Sequence, residues 1–358
     1  MLSARPVVQK LQEYHPPLGG RSGLRFDFNE NTVGCSPRVL QCLTQLTAEE
    51  LARYPERQPV EALTAKHLGV PEEQLLLTNG VDEAIHLLCE AYLEPQDEVL
   101  IVSPTFSMYE IYAAATGAHA VRVQCDADFR FPLSKVLGAI TPATRLIAIA
   151  SPNNPTGTVA AKEELLAIAK AAPDAAVLVD EAYYEFHGET VIHAIEATPN
   201  LFVARTFSKA YGLAGLRVGL LCGPAEQMHA VRRISSPYNV NAVALAVLPA
   251  ALEDKEYVEA YASQVAQGRE RLARELLELG IQYWPSQANF LLLKIGGPHR
   301  EFVSAIRQRG ILVRDRSADP GCDGCVRITI GSKAQTGLLI TAVKEVFAAL
   351  DLKARVTA

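Results

Sequence analysis

The sequence predicts an α/β protein with a large domain on a mostly parallel sheet and a smaller α+β domain. Three observations carry this. From residue 99 to about 225, apolar runs of four to six residues bounded by turn residues alternate with helical stretches, as in parallel strands covered on both faces. Residues 257–280 then form one long, charged, amphipathic stretch, the length and pattern of a linking helix. Beyond it, short strand-like runs surround a single helical one, a rhythm that marks a second domain.

In chain order, the first forty residues, rich in Pro, Gly and Arg, read as an extended arm. Helices are expected over 60–70, ending at Gly69, and over 82–92, closed by Pro95, with a strand at 75–77 between them. Strands follow at 99–103, 119–124, 145–150, 176–180, 201–204 and 217–222, with helices at 106–116 and 161–171. Residues 237–252 are apolar and helical, and the 257–280 helix places Leu272, Leu276, Leu277 and Leu279 on its apolar face. Strands at 281–284, 289–295, 311–314 and 326–330 close the chain around a helix at 299–309.

The bulk properties narrow the function. A chain of 358 residues, 49% hydrophobic and 21% charged, can bury one large and one smaller core. A net charge of −6 with no Lys/Arg-rich block argues against a nucleic-acid partner. No apolar run reaches 18 residues, so no membrane span is expected, and Met1–Pro6 lacks the apolar core of a signal peptide. A cytoplasmic enzyme is expected. The seven cysteines read as free thiols in a reducing compartment. Cys322-Asp323-Gly324-Cys325 has the spacing of half a zinc site or a redox pair, but no second such pair accompanies it. It reads as a turn before the next strand, and no metal is expected.

Chemistry concentrates at the ends of the apolar runs. Lys209 follows the run 201–204 among Thr206, Ser208 and Arg217. It is either a surface cation or an amine of lowered pKa that forms a Schiff base beside a phosphate cradle. Ser151–Gly157 follows the run 146–150, and the run 177–179 ends in Asp180, Glu181 and Tyr183. Ligands bind outside the carboxyl ends of parallel strands, so these polar groups converge on one crevice. Asp180 ends a buried run where an unpaired carboxylate is costly; its alternative is a cap on the next segment. Glu181 points to the opposite face and reads as structural. Gly80, Val81 and Asp82 open a helix whose N–H groups suit a phosphate, with Asp82 alternatively a cap. Phe106 and Tyr183 have core packing as their alternative, Asn154 an ordinary turn, Tyr54 a surface aromatic, and Arg314 and Arg327 a structural ion pair.

Nine runs, in this order and spacing, resemble the fold type I (aspartate-aminotransferase-like) pyridoxal-phosphate enzymes, and among them the histidinol-phosphate aminotransferases. They are Asn29–Asn31, Arg53–Glu56, Asn79–Glu83, Pro104–Phe106, Ser151–Gly157, Asp180–Tyr183, Thr206–Arg217, Ile311–Asp315 and Val326–Thr329. The resemblance implies pyridoxal 5'-phosphate as cofactor, Lys209 as the Schiff-base lysine and proton carrier, and Asp180 as partner of the pyridine nitrogen. It implies Tyr183 and Asn154 as donors to the phenolic oxygen and Phe106 as the stacking ring, a phenylalanine where many relatives carry tyrosine. Gly80, Val81, Asp82, Thr206, Ser208 and Arg217 would form the phosphate cradle. Tyr54 would reach the neighbouring subunit's cofactor, implying a homodimer with a shared active site.

On the substrate side, the resemblance assigns Arg327 to an α-carboxylate and Arg314 to a distal anionic group, with Asn29, Tyr14, Tyr54 and Asn154 around them. It implies a large domain of residues 38–255 and a discontinuous small one, 1–37 with 256–358. The implied reaction is a ping-pong transfer from histidinol phosphate to 2-oxoglutarate in histidine biosynthesis. Alternatives on the same scaffold are an aromatic amino-acid aminotransferase and a phosphothreonine decarboxylase. Two departures border the substrate entrance: Thr32 stands where relatives carry proline, and residues 14–23 match poorly. Both bear on the amino donor and acceptor rather than on the cofactor.

Overall fold

The structure, a computed structural model, describes residues 2–11, 13, 20 and 22–351. Its strands are β1 (Leu24–Phe26), β2 (Leu75–Thr78), β3 (Glu98–Ser103), β4 (His119–Gln124), β5 (Thr144–Ala150), β6 (Ala176–Asp180), β7 (Leu201–Thr206), β8 (Gly219–Cys222), β9 (Gln282–Trp284), β10 (Phe290–Lys294), β11 (Ile311–Asp315) and β12 (Cys325–Thr329). They form two sheets, of seven strands in the order β2-β8-β7-β6-β5-β3-β4 and of five in the order β1-β11-β12-β10-β9.

The seven-stranded sheet is parallel except for β8, which runs antiparallel to β2 and β7. Helices cover both faces, which is why its central strands are apolar at consecutive positions. In β6, Val177 and Val179 pack in one layer while Leu178 packs in the other. That alternation sends Asp180 to the Leu178 face and Glu181 to the opposite one. There Glu181 pairs with Arg205 at 2.8 Å, in agreement with its structural reading. After β4 the chain crosses to β5 on the far side of β3, so the carboxyl ends of β3 and β5 flank a switch point where a crevice opens.

The second sheet has its own core, in which Phe290, Leu291, Val326 and Ile328 pack against Leu272, Phe302 and Val343. Part of the expected arm is β1, which pairs in parallel with β11; three residues are too few to show a period. The helix Lys333–Ala349 was not anticipated either, although Leu339, Val343 and Val346 give it a buried stripe. The long helix, Lys255–Leu279, buries Val258, Tyr261, Val265, Gly268, Leu272 and Leu276. Leu277, expected on that face, is exposed, because one residue rotates a helix by about 100°. The helix expected from 237 starts at Ala242, where the Asn241 side chain accepts from the Ala244 N–H at 2.8 Å and caps it.

Cys322–Cys325 forms a hydrogen-bonded turn, Cys325 N–H to Cys322 O at 2.8 Å, with Gly324 at φ 64° supplying the left-handed position. Among the described residues no three His, Cys, Asp or Glu side chains are grouped to hold a metal. No helix among them is long and apolar enough to cross a membrane.

Candidate active site

The carboxyl ends of β3, β5, β6 and β7, with the start of the helix Gly80–Tyr92, surround a cleft of about 290 Å³. Val81, Asp82, Phe106, Asn154, Asp180, Tyr183, Thr206, Ser208, Lys209 and Arg217 all line it. Ten residues predicted from separate motifs are therefore brought into one crevice. They converge because each follows a strand of the same sheet, and parallel strands end on the same side.

Lys209 sits at the cleft floor and donates from Nζ to the Phe28 carbonyl at 3.0 Å. Burial pushes its pKa down to about 8, with the positive charge of Arg327 acting in the same direction. Asp180 is 5% exposed. Its Oδ2 accepts from the Tyr109 hydroxyl at 2.6 Å and its Oδ1 from the Ala182 N–H at 3.0 Å. Burial raises its pKa to about 6 despite these two donors. A carboxylate held in so dry a place favours any proton donor or cation that arrives beside it. Phe106 meets the Tyr109 ring edge-on at 5.8 Å and leaves its own ring on the cleft.

The opposite wall is built of side chains that bridge the two sheets. The Tyr183 oxygen accepts from Asn29 Nδ2 at 2.9 Å, which leaves its O–H to donate. Asn154 Oδ1 accepts from Arg327, which leaves the Nδ2 amide to donate. Arg327 also donates to the Asp27 carbonyl at 2.7 Å, and burial pushes its pKa down to about 10.

Asn29 departs from expectation. It is 1% exposed; besides its bond to Tyr183, its Oδ1 accepts from Thr329 Oγ1 at 3.1 Å. One amide N–H is thus spent inside the protein, bracing Tyr183, and the residue is not part of the cleft lining. Its backbone is in the left-handed region, at φ 56°, and its N–H donates to Thr329 Oγ1 at 3.0 Å.

A set of donors faces the helix start. Asn79 precedes the helix without a side-chain cap, so its side chain does not compete with a ligand for the first N–H groups. Arg217, itself at φ 54°, donates to Asp82 at 2.9 Å. A Cβ on Gly80, which sits at φ 75°, would lie 2.7 Å from the Arg217 guanidinium, so a side chain there would push that arginine aside. Ser208 Oγ is buried and has no hydrogen-bond partner among the described residues. An unsatisfied buried hydroxyl costs ~1–3 kcal/mol unless a ligand meets it. Thr206 Oγ1 instead accepts from the Ser208 N–H at 3.1 Å and shapes the turn.

The aminotransferase class I and II family profile matches residues 21–343. This chain belongs to that family. A histidinol-phosphate aminotransferase of Moorella thermoacetica is 35% identical, the match covering 97% of this chain and 92% of that one. Histidinol-phosphate aminotransferase 1 of Bacillus cereus is 38% identical, over 96% of this chain and 95% of that one. Among solved structures, the histidinol-phosphate aminotransferase of Sinorhizobium meliloti in complex with pyridoxal-5'-phosphate superposes with a TM-score of 0.86 at 27% identity. That match covers 96% of this chain and 97% of that one. The fold is fold type I and the cofactor of this aminotransferase is pyridoxal phosphate. The unsatisfied Ser208 hydroxyl, the uncapped helix start, the buried Asp180 and the desolvated Lys209 fit that group at its phosphate, ring nitrogen and aldehyde ends.

Five predicted residues among those described, Gly80, Asn29, Tyr54, Arg314 and Arg327, are not part of the cleft lining of this aminotransferase. Arg327 touches it through Asn154. Arg314 is its cross-strand register partner, set over the Phe28 ring at 5.4 Å. Tyr54 is 77% exposed and stacks on Tyr238 at 4.3 Å. Tyr14 lies outside the described residues. Tyr109, the Asp180 partner, escaped the sequence reading, because the two residues are 71 positions apart.

Proposed function

We propose that this aminotransferase moves the amino group of histidinol phosphate to 2-oxoglutarate, as a cytoplasmic homodimer. The observation that carries the substrate is the pairing of Arg314 with Arg327 across β11 and β12. Directly opposed residues of an antiparallel pair project from the same face, so two guanidiniums stand side by side near the cleft. Near-full-length relatives named for histidinol phosphate support the same reading. A residue range of 38–255 would carry the cofactor, and 1–37 with 256–358 the substrate arginines. The exposed Tyr54–Tyr238 stack is an apolar surface suited to cover by a second subunit, whose cofactor phosphate Tyr54 would reach.

Pyridoxal phosphate, when bound, supplies an electron sink and carries the amino group between two half-reactions. Asp180 would hold the proton on its ring nitrogen. Tyr183 and Asn154 would donate to its phenolic oxygen, and Phe106 would cover its ring. Ser208, Arg217 and the N–H groups at Gly80 and Val81 would hold its phosphate, with Asp82 fixing Arg217. Lys209 Nζ, as the neutral amine, would take the proton from the substrate carbon that bears nitrogen and deliver it to C4′ of the cofactor. A pKa of about 8 keeps a useful fraction of that amine neutral near physiological pH.

Titrating the holoenzyme with histidinol phosphate, phenylalanine, tyrosine and phosphothreonine tests the reading. Histidinol phosphate should convert the cofactor absorbance to that of the amino form at the lowest concentration. Faster conversion by the aromatic donors, or carbon dioxide release from phosphothreonine, would replace it. Arg314→Leu should weaken the half-reaction of a phosphorylated donor by ~2–4 kcal/mol, the loss of a charged hydrogen-bond partner. Neutral side-chain donors should lose little. Equal losses for all donors would make Arg314 structural. Arg327→Leu should damage 2-oxoglutarate most, since histidinol phosphate has no α-carboxylate, with a smaller loss for both substrates through loosened Asn154.

A further inference from the structure

A third arginine stands beside the two predicted ones. Arg316 follows β11 directly, and its N–H donates to the Cys325 carbonyl at 2.9 Å, two residues before Arg327 on β12. Its side chain is 14% exposed and pairs with Asp319. Two successive turns hold that carboxylate in place, Asp319 N–H to Arg316 O at 2.9 Å and Cys322 N–H to Asp319 O at 3.0 Å. Asp319 lies within the field of Arg316, Arg327 and Arg314 together. The Arg316 charge reaches both Arg327 and the Tyr183 hydroxyl. Its Nε is buried with no hydrogen-bond partner among the described residues. The guanidinium therefore has donor capacity that Asp319 leaves unused.

We propose that Arg316 is a third specificity-determining arginine for the anionic end of the substrate, and that Asp319 is a positioning residue, a built-in counter-anion that an incoming anion must outcompete. The inference rests on the anion-binding reading of Arg314 given above. Clustered guanidiniums without a fixed acid would bind any small anion. A resident carboxylate raises the threshold. A phosphate monoester, with more than one negative charge and three acceptor oxygens, exceeds it; a neutral side chain does not. The order of selectivity then follows from competition for Arg316 rather than from the size of the pocket.

The test is inhibition of the holoenzyme by inorganic phosphate, competing against the amino donor. Asp319→Asn should tighten the phosphate Ki at least tenfold, because Arg316 is released from its partner. Arg316→Gln should weaken it at least tenfold and raise the KM of a phosphorylated donor while kcat changes little. The double variant should lose the tightening, since Asp319 acts through Arg316. A purely structural ion pair would lower the melting temperature of both single variants alike and leave phosphate inhibition in place, which overturns the proposal. So would tightening that persists in the double variant. If the wild-type enzyme fails to turn over histidinol phosphate, the substrate reading falls. Unchanged phosphate inhibition in Asp319→Asn, with that turnover intact, removes this inference alone.

Discussion

Lys209→Met should reduce turnover by at least ~10⁴-fold, the upper range for a positioned acid–base group, while the chain still folds. Borohydride treatment of the wild-type holoenzyme should attach the cofactor to the peptide that contains Lys209, and treatment of the variant should attach it nowhere. An adduct elsewhere in the variant would move the role to another amine. The same variant should change stability in the opposite sense to activity. Wild-type Lys209 titrates near 8 when folded, against an ordinary value of 10.5. Below about pH 8 the buried amine is charged and its desolvation cost is fully present. Between 8 and 10.5 the unfolded chain keeps a proton that the folded one has released, so stability rises with pH. Removing the charge should therefore stabilise the cofactor-free protein at pH 7 by up to ~3 kcal/mol, a difference that fades toward pH 10.5. Thermal melts of both proteins across that range would read it directly.

Asp180→Asn should slow proton abstraction by several orders of magnitude, on the order of ~4 kcal/mol or more for a dry electrostatic partner. The asparagine can still accept from the Ala182 N–H and donate to the Tyr109 oxygen, so the fold should survive. Near-normal single-turnover rates with the cofactor fully bound would take Asp180 out of the chemistry. Its linkage mirrors that of lysine. The folded carboxyl titrates near 6, above its ordinary 3.8. Below pH 3.8 it is neutral in both states, and the cost of burying its charge accrues through that window and is complete above 6. The cofactor-free variant should thus gain up to ~3 kcal/mol at pH 7 and little near pH 3.8. Both residues are expensive to bury in the free chain, and a bound partner of opposite character is what relieves them. A site strained in this way is stabilised by its own ligand.

Most of the cleft was legible because its signals are local. The apolar runs ending in Asp180, in Ser151 and in Thr206 mark strand ends within five or six residues, and strand ends are where α/β sheets place ligands. Gly80 announced a helix start for the same reason. The substrate side was less legible. Asn29 was expected to face a ligand, and its bond to Tyr183 crosses 154 positions. Tyr109 reaches Asp180 across 71. A hydrogen-bonding partner at that distance leaves no period in the sequence to read.

By itself the sequence determined the alternation of strands and helices, the parallel sheet, and the residue types at each strand end. Those follow from apolar patterning and turn chemistry over windows of a dozen residues. Only the tertiary structure decided that β1 joins β11 and that Arg314 faces Arg327. It also decided that Asn29 meets Tyr183 and that Arg327 meets Asn154 between the sheets. A residue's own neighbours dictate whether it is buried and in what conformation. Which polar group it meets there is set by register and packing between distant segments, where every buried donor must find an acceptor.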